Sequence, residues 1–92
     1  MKPEGNKGPK KTVKAKLDSD VQLKKLGERI KNLRIAAGYT SYEYFAYDHN
    51  ISRAQFGRYE QGNNMRFNSL IKIINAFGMT IPEFFSDGFD KK

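Results

Sequence analysis

Leu23, Leu26, Ile30, Leu33 and Ala37 recur at spacings of three and four, the stripe of an amphipathic helix with one face turned to a core. Asp18, Ser19 and Asp20 precede the stripe as N-cap candidates, and Gly38 stands where a left-handed residue ends a helix. A first helix is therefore expected over about residues 20–37. Thr40-Ser-Tyr-Glu43 fits a capping box, in which Thr40 and Glu43 satisfy each other's orphan amides. The second helix then runs to about His49, burying Phe45 and using Ala46 for close contact. Asn50 falls in the turn, since Asn tolerates a left-handed backbone better than any residue but Gly. Ser52 caps a third helix that ends before Gly62. Beyond the polar loop Asn63–Arg66, the residues Leu70, Ile71, Ile74 and Phe77 predict a fourth helix over about 67–77, closed by Gly78. Thr80-Ile-Pro-Glu83 is a second capping box with Pro82 in the first turn, where its missing amide costs nothing. A short fifth helix, 81–86, carries Phe84 and Phe85. The fold class is all-α: a compact five-helix domain without strands or internal repeats.

The third helix has two faces of different chemistry. At about 100° per residue, with Arg53 at zero, Gly57 falls near 40°, Gln61 near 80°, Ala54 near 100° and Arg58 near 140°. Phe56 and Tyr59 fall near 300° and 240°, on the opposite side. One arc thus offers two guanidinium groups and an amide with small residues between them. Arg forks onto guanine O6 and N7 or clamps a phosphate, Gln bonds adenine or phosphate, and the Ala54 methyl can meet a thymine methyl. An exposed Gly57 costs about 0.5–1 kcal/mol relative to Ala, a loss that makes sense where a base pair approaches closely. A solvated charged face is the bland alternative to this arc. Glu60 lies near 340°, at the border of the apolar arc, where burial demands a cation; Arg34, late in the first helix, is the candidate partner.

Composition narrows the function classes. The 92 residues hold no cysteine and one histidine, which leaves no disulfide framework and no thiolate chemistry and leaves metal sites to carboxylates, of which no ligand-like cluster is visible. No nucleophile–base pair or phosphate loop is visible, so no enzyme, no cofactor and no small-molecule ligand are expected. No apolar run approaches the roughly 20 residues of a membrane span, and a cytoplasmic, nucleoid-associated protein is expected. The net charge of +7 points to a polyanionic partner. Part of it sits in a leader, where six lysines face Glu4, Asp18 and Asp20 within the first twenty residues. Residues 1–19 are expected to be a disordered basic tail, 20–89 the folded domain and 90–92 a disordered end.

In order and spacing these residues resemble the Xre/Cro-like helix-turn-helix family of phage and bacterial repressors. The match comprises Leu26-Gly-Glu-Arg-Ile-Lys-Asn-Leu-Arg34 with Gly38, then Phe45-Ala46, Ile51-Ser-Arg53, and Phe56 followed by Arg58-Tyr-Glu-Gln-Gly62. It continues through Leu70-Ile-Lys-Ile-Ile-Asn-Ala-Phe-Gly78 and Ile81 to Phe85. The resemblance implies a transcriptional regulator that binds double-stranded DNA sequence-specifically, with the helix at about 52–61 in the major groove. It implies base contacts from Arg53, Ala54, Gly57, Arg58 and Gln61. Phosphate contacts would come from Tyr42, Ser52, Asn63, Asn64 and Arg66, and Arg34 and Glu60 occupy the places of a buried structural ion pair. Ala46 would be the small residue where the two motif helices cross. The chain departs from the family in four places. One extra residue lies between Gly38 and Phe45, Tyr42 replaces a phosphate-binding Gln, Asn50 replaces a turn Gly, and Met65-Arg66 replaces a Pro-Ser/Thr opening of the fourth helix.

Tyr39, Tyr42, Tyr44 and Tyr47 read as core and rim packing rather than as stacking platforms for unpaired bases. His49 reads as a solvated helix-end residue. Phe84, Phe85 and Phe89 exceed what so small a domain readily hides; they either close the core or form a homodimer surface in the C-terminal aromatic region. An alternative function is an antitoxin-type interaction module that neutralises a partner protein and autoregulates by DNA binding.

Overall fold

Four of the helices end in the same backbone device, and it sets where the chain turns. In the computed structural model, which describes residues 16–89, the helices are α1 (Ser19–Ala36), α2 (Tyr42–Asp48), α3 (Arg53–Glu60), α4 (Phe67–Ala76) and α5 (Ile81–Phe84). After α1, the amide of Gly38 donates to the Ile35 carbonyl and that of Tyr39 to the Arg34 carbonyl. Gly62 and Asn63 repeat the pattern after α3, and Gly78 and Met79 after α4. Each is a Schellman closure, which needs a left-handed residue at its corner; Gly38, Gly62 and Gly78 have φ of +96°, +97° and +69°. Asn50, at φ +58°, makes the corresponding turn between α2 and α3, and the Lys72 ammonium donates to its carbonyl at 2.8 Å.

Four of the five starts are set by side-chain caps, the exception being α4. Asp18 accepts from the amides of Asp20 and Val21, and Ser52 from Gln55. Thr80 and Glu83 form a reciprocal capping box. The box expected at Thr40 and Glu43 does not form. Ser41 is the N-cap, and its hydroxyl accepts from the Glu43 amide at 3.2 Å. Glu43 therefore sits one position too early in α2 for its carboxylate to reach back to the cap. The fifth helix also closes early, at Phe84.

The core gathers Leu26, Ile30, Phe45, Ala46, Phe56, Tyr59, Leu70, Ile73, Ile74 and Phe84. Its centre is a column of rings: Phe45 stacks on Phe56 at 5.1 Å and on Phe77 at 4.8 Å between centroids. Truncating such a buried Phe to Ala costs about 3–5 kcal/mol. Ala37, placed on the apolar stripe by spacing, is exposed, because α1 ends one residue before it; Arg34 takes the buried position instead. Residues 1–15 and 90–92, most of the two segments expected to be disordered, lie outside the described residues.

Arg29 fastens α5 beneath α1. Its Nε donates to the Phe84 carbonyl at 2.7 Å and its Nη2 to the Glu83 carbonyl at 3.1 Å, and the guanidinium lies 5.7 Å from the Phe84 ring centroid. The first bond satisfies the Phe84 carbonyl, which so short a helix leaves open, and the second joins the Ser86 hydroxyl on the Glu83 carbonyl.

Candidate nucleic-acid interface

The orientation of α3 follows from which of its side chains the core accepts. Phe56 is wholly buried and Tyr59 nearly so, at 0% and 9% exposed. Arg53, Ala54, Arg58 and Gln61 are exposed on the other side. The apolar face is drawn inward by burial of two rings, and the guanidinium groups point to solvent as a result.

Three contacts hold the helix in that attitude. On its α1 side, Arg34 grips Glu60 through Nε to Oε2 at 2.7 Å and Nη2 to Oε1 at 3.1 Å, with both side chains about as buried as the core. The remaining Nη1 donates to the Tyr39 carbonyl at 2.7 Å, so the Arg34 fork spans three segments. Also on that side, Gly27 lets the α1 backbone lie against the carbonyls of Tyr59 and Glu60. On its α2 side, the ring of Tyr42 lies over Gly57.

That last contact corrects the expectation for Gly57. The glycine is buried, not exposed. A Cβ built there would stand 2.8 Å from Tyr42 Cε1 and 2.9 Å from Cζ. The missing side chain makes room for a tyrosine of α2, so the case for a close backbone approach by DNA at Gly57 falls. Sequence spacing cannot see this, because the wheel of α3 holds no information on what α2 lays across it. Gly27 was missed for the same reason. Its only trace in the sequence is a glycine in mid-helix beside the buried stripe, where glycine otherwise costs stability.

Four of the remaining candidates separate into two hollows, and Gln61 lines a third with Lys24, Lys25 and Glu28 of α1. Arg58, Asn63 and Asn64 line one of about 560 Å³ together with Gln55, an exposed residue of α3 that the sequence reading passed over. Arg53 lines another of about 330 Å³ with Ser41, Glu43, Tyr44 and Tyr47. Ser52 is exposed but occupied as the α3 cap. Arg66, the N-cap residue of α4, makes no side-chain capping bond and is exposed.

The tyrosines do not behave as one group. Tyr39 packs edge-on against Phe45 at 5.2 Å and donates its hydroxyl to Asp48 at 2.7 Å. That bond, with desolvation and the Asp48 charge behind it, raises the Tyr39 pKa above the usual tyrosine value. Tyr44 and Tyr47 are 70% and 77% exposed and pack in no core. The expected rim role fails for them because seven-residue α2 has a single inward face, already filled by Phe45 and Ala46. His49 is not simply solvated either. It is half-buried, stacks 4.2 Å from Phe45 and bonds the Phe45 carbonyl through Nδ1 at 2.9 Å.

At the C-terminal end, Phe84 is wholly buried while Phe85 is 38% exposed. Phe85 and Phe89 line an apolar groove of about 560 Å³ with Leu17, Leu23 and Leu26.

No protein-family model matches the chain, and no curated protein does. Solved structures do. The chain is similar to the restriction-modification controller protein C.AhdI from Aeromonas hydrophila, at 30% identity and a TM-score of 0.63, over 71% of this chain and 98% of that one. It is similar to the restriction-modification controller protein C.Esp1396I at 26% identity and a TM-score of 0.64, over 76% of this chain and 94% of that one. The outward basic arc of α3, the Arg34–Glu60 pair beneath it and these relatives agree: the chain belongs to the Xre/Cro-like helix-turn-helix family.

Proposed function

We propose that the protein is a transcriptional regulator that binds double-stranded DNA sequence-specifically, with α3 in the major groove. The observation that supports it most is the split of α3 into a buried aromatic face and an exposed arc of Arg53, Ala54, Arg58 and Gln61. Arg53, Arg58 and Gln61 choose bases, and the Ala54 methyl leaves room for a thymine. Asn63, Asn64 and Arg66, on the loop after α3, meet the phosphate backbone together with the exposed hydroxyl of Ser52. The two relatives, named as restriction-modification controllers, favour control of transcription as the output.

Two copies of the chain read a palindromic site, paired through the groove around Phe85 and Phe89. Large exposed apolar side chains rimming a groove are the feature that supports pairing there. In-vitro selection from a random duplex pool tests both points. An enriched palindrome whose affinity falls steeply with salt is the expected result. A pool with no enriched sequence would sink the regulator role, and sedimentation showing only monomer on the selected site would sink the pairing.

A further inference from the structure

We infer that Tyr42, a side chain of α2, reads a base edge from the middle of the α3 surface, in the place that residue 57 leaves empty; this rests on the DNA-binding role proposed above. On the wheel of α3, Gly57 stands at about 40°, between Arg53 and Gln61 and thus inside the outward arc. Arg53, Ala54, Arg58 and Gln61 on that arc are exposed, yet Gly57 is buried. The cover is the far end of the Tyr42 ring: Cε1, Cζ and Oη lie 2.8, 2.9 and 3.1 Å from the site of a Cβ on Gly57. The hydroxyl is therefore carried onto the outward arc by a side chain from another helix.

The Tyr42 side of that contact is also half open. The residue is 36% exposed, and among the described residues its hydroxyl has no hydrogen-bond partner. A phenol O–H both donates and accepts. It can donate to guanine O6 or N7 or to thymine O4, and it can accept from the amino group of adenine or cytosine. Tyr42 lays the far end of its ring over Gly57, in the middle of the α3 arc that faces outward. The seat on Gly57 also holds the ring in place before DNA arrives, which lowers the ordering cost on binding.

Selection from a random duplex pool with the full-length wild type and with Tyr42→Phe decides the matter. The phenylalanine keeps the ring over Gly57, so the thermal midpoint should not move. The expected result is a loss of preference at one base pair in each half-site, about fivefold or more, with the rest of the site and non-specific binding unchanged. Equal weakening on every duplex would make Tyr42 a phosphate contact and overturn the inference. An unchanged site and affinity would make it a packing residue and overturn it too. A wild-type pool without any enriched sequence removes the regulator role and this inference together, whereas an enriched wild-type site with either other outcome removes this inference alone.

Discussion

Gly27 of α1 lies so close to Glu60 of α3 that a Cβ on the glycine would stand 2.5 Å from the Glu60 carbonyl oxygen and 2.7 Å from that of Tyr59. The obstacle is backbone on both counts, so neither helix can yield by turning a side chain. Gly27→Ala should therefore destabilise the domain despite the better helix propensity of alanine. Overpacking of this kind costs about 1–3 kcal/mol. In a domain this small each kcal/mol lowers the melting midpoint by about 4–8 °C. A thermal melt followed by circular dichroism checks it, and a midpoint equal to the wild type would refute the close approach of α1 and α3.

Glu60→Gln keeps the shape of the side chain and removes its charge, leaving the Arg34 guanidinium buried without an anion. Breaking a buried pair by removing one partner costs about 3–5 kcal/mol. Replacing Arg34 and Glu60 together by leucine should recover part of that loss, since neither charge is then buried. Recovery stays incomplete because the Tyr39 carbonyl loses its donor, the Arg34 Nη1. Urea unfolding of the three proteins tests this. A single variant as stable as the wild type would show that the pair does not hold α3.

Tyr39 ties stability to alkaline pH. Its hydroxyl bond to Asp48 raises its pKa in the folded state, so the neutral phenol is favoured by folding. The contribution is whole below the ordinary tyrosine value of about 10 and is lost as pH rises through the raised folded value. Melting midpoints of the wild type should fall faster than those of Tyr39→Phe above about pH 10. Parallel curves would mean that the Tyr39–Asp48 bond contributes nothing.

Features that depend on one element and its own ends were legible in the sequence. The α1 stripe at Leu23, Leu26 and Ile30 and the left-handed Asn50 needed only local periodicity and turn chemistry, and Phe56 and Tyr59 turned inward as the wheel of α3 required. Features made by two elements were legible only where charge forced a partner, as Glu60 at the edge of the apolar arc forced Arg34. Gly57 under Tyr42, Gly27 against Glu60 and Arg29 on the Phe84 carbonyl depend on how helices lie across one another. No spacing within a helix carries that information. The α2 start slipped from Thr40 to Ser41 because both can cap, and only the tertiary placement of α2 decides between them.

Arg53 and Arg66 should separate base choice from backbone grip. Arg53 projects from the first turn of α3, and Arg66 is exposed at the start of α4, where it makes no side-chain capping bond. Arg53→Ala is expected to cost about 1–3 kcal/mol on the selected site and to relax preference at one base pair. Arg66→Ala should weaken binding alike on all duplexes and shallow the salt dependence by about one unit of slope. Titrations on the selected site, its single-base variants and an unrelated duplex distinguish the two. Identical behaviour on every duplex would contradict the docking of α3.

Gly57→Ala meets a different obstacle from Gly27→Ala, and its outcome should divide differently between stability and binding. The new methyl would press on Tyr42 Cε1 and Cζ, the far end of a side chain that can swing aside. Swinging costs the ring its contact with α3, while alanine in mid-helix gains about 0.5–1 kcal/mol over glycine. The two terms oppose, so the melting midpoint should stay within a few degrees of the wild type. DNA binding should suffer more, because a displaced Tyr42 ring leaves the arc between Arg53 and Gln61 or stands in front of it. Affinity for the selected site is expected to fall by at least tenfold, a change of about 1.4 kcal/mol. Binding equal to the wild type, in a protein whose melt is also unchanged, would show that the Tyr42–Gly57 contact has no part in the interface.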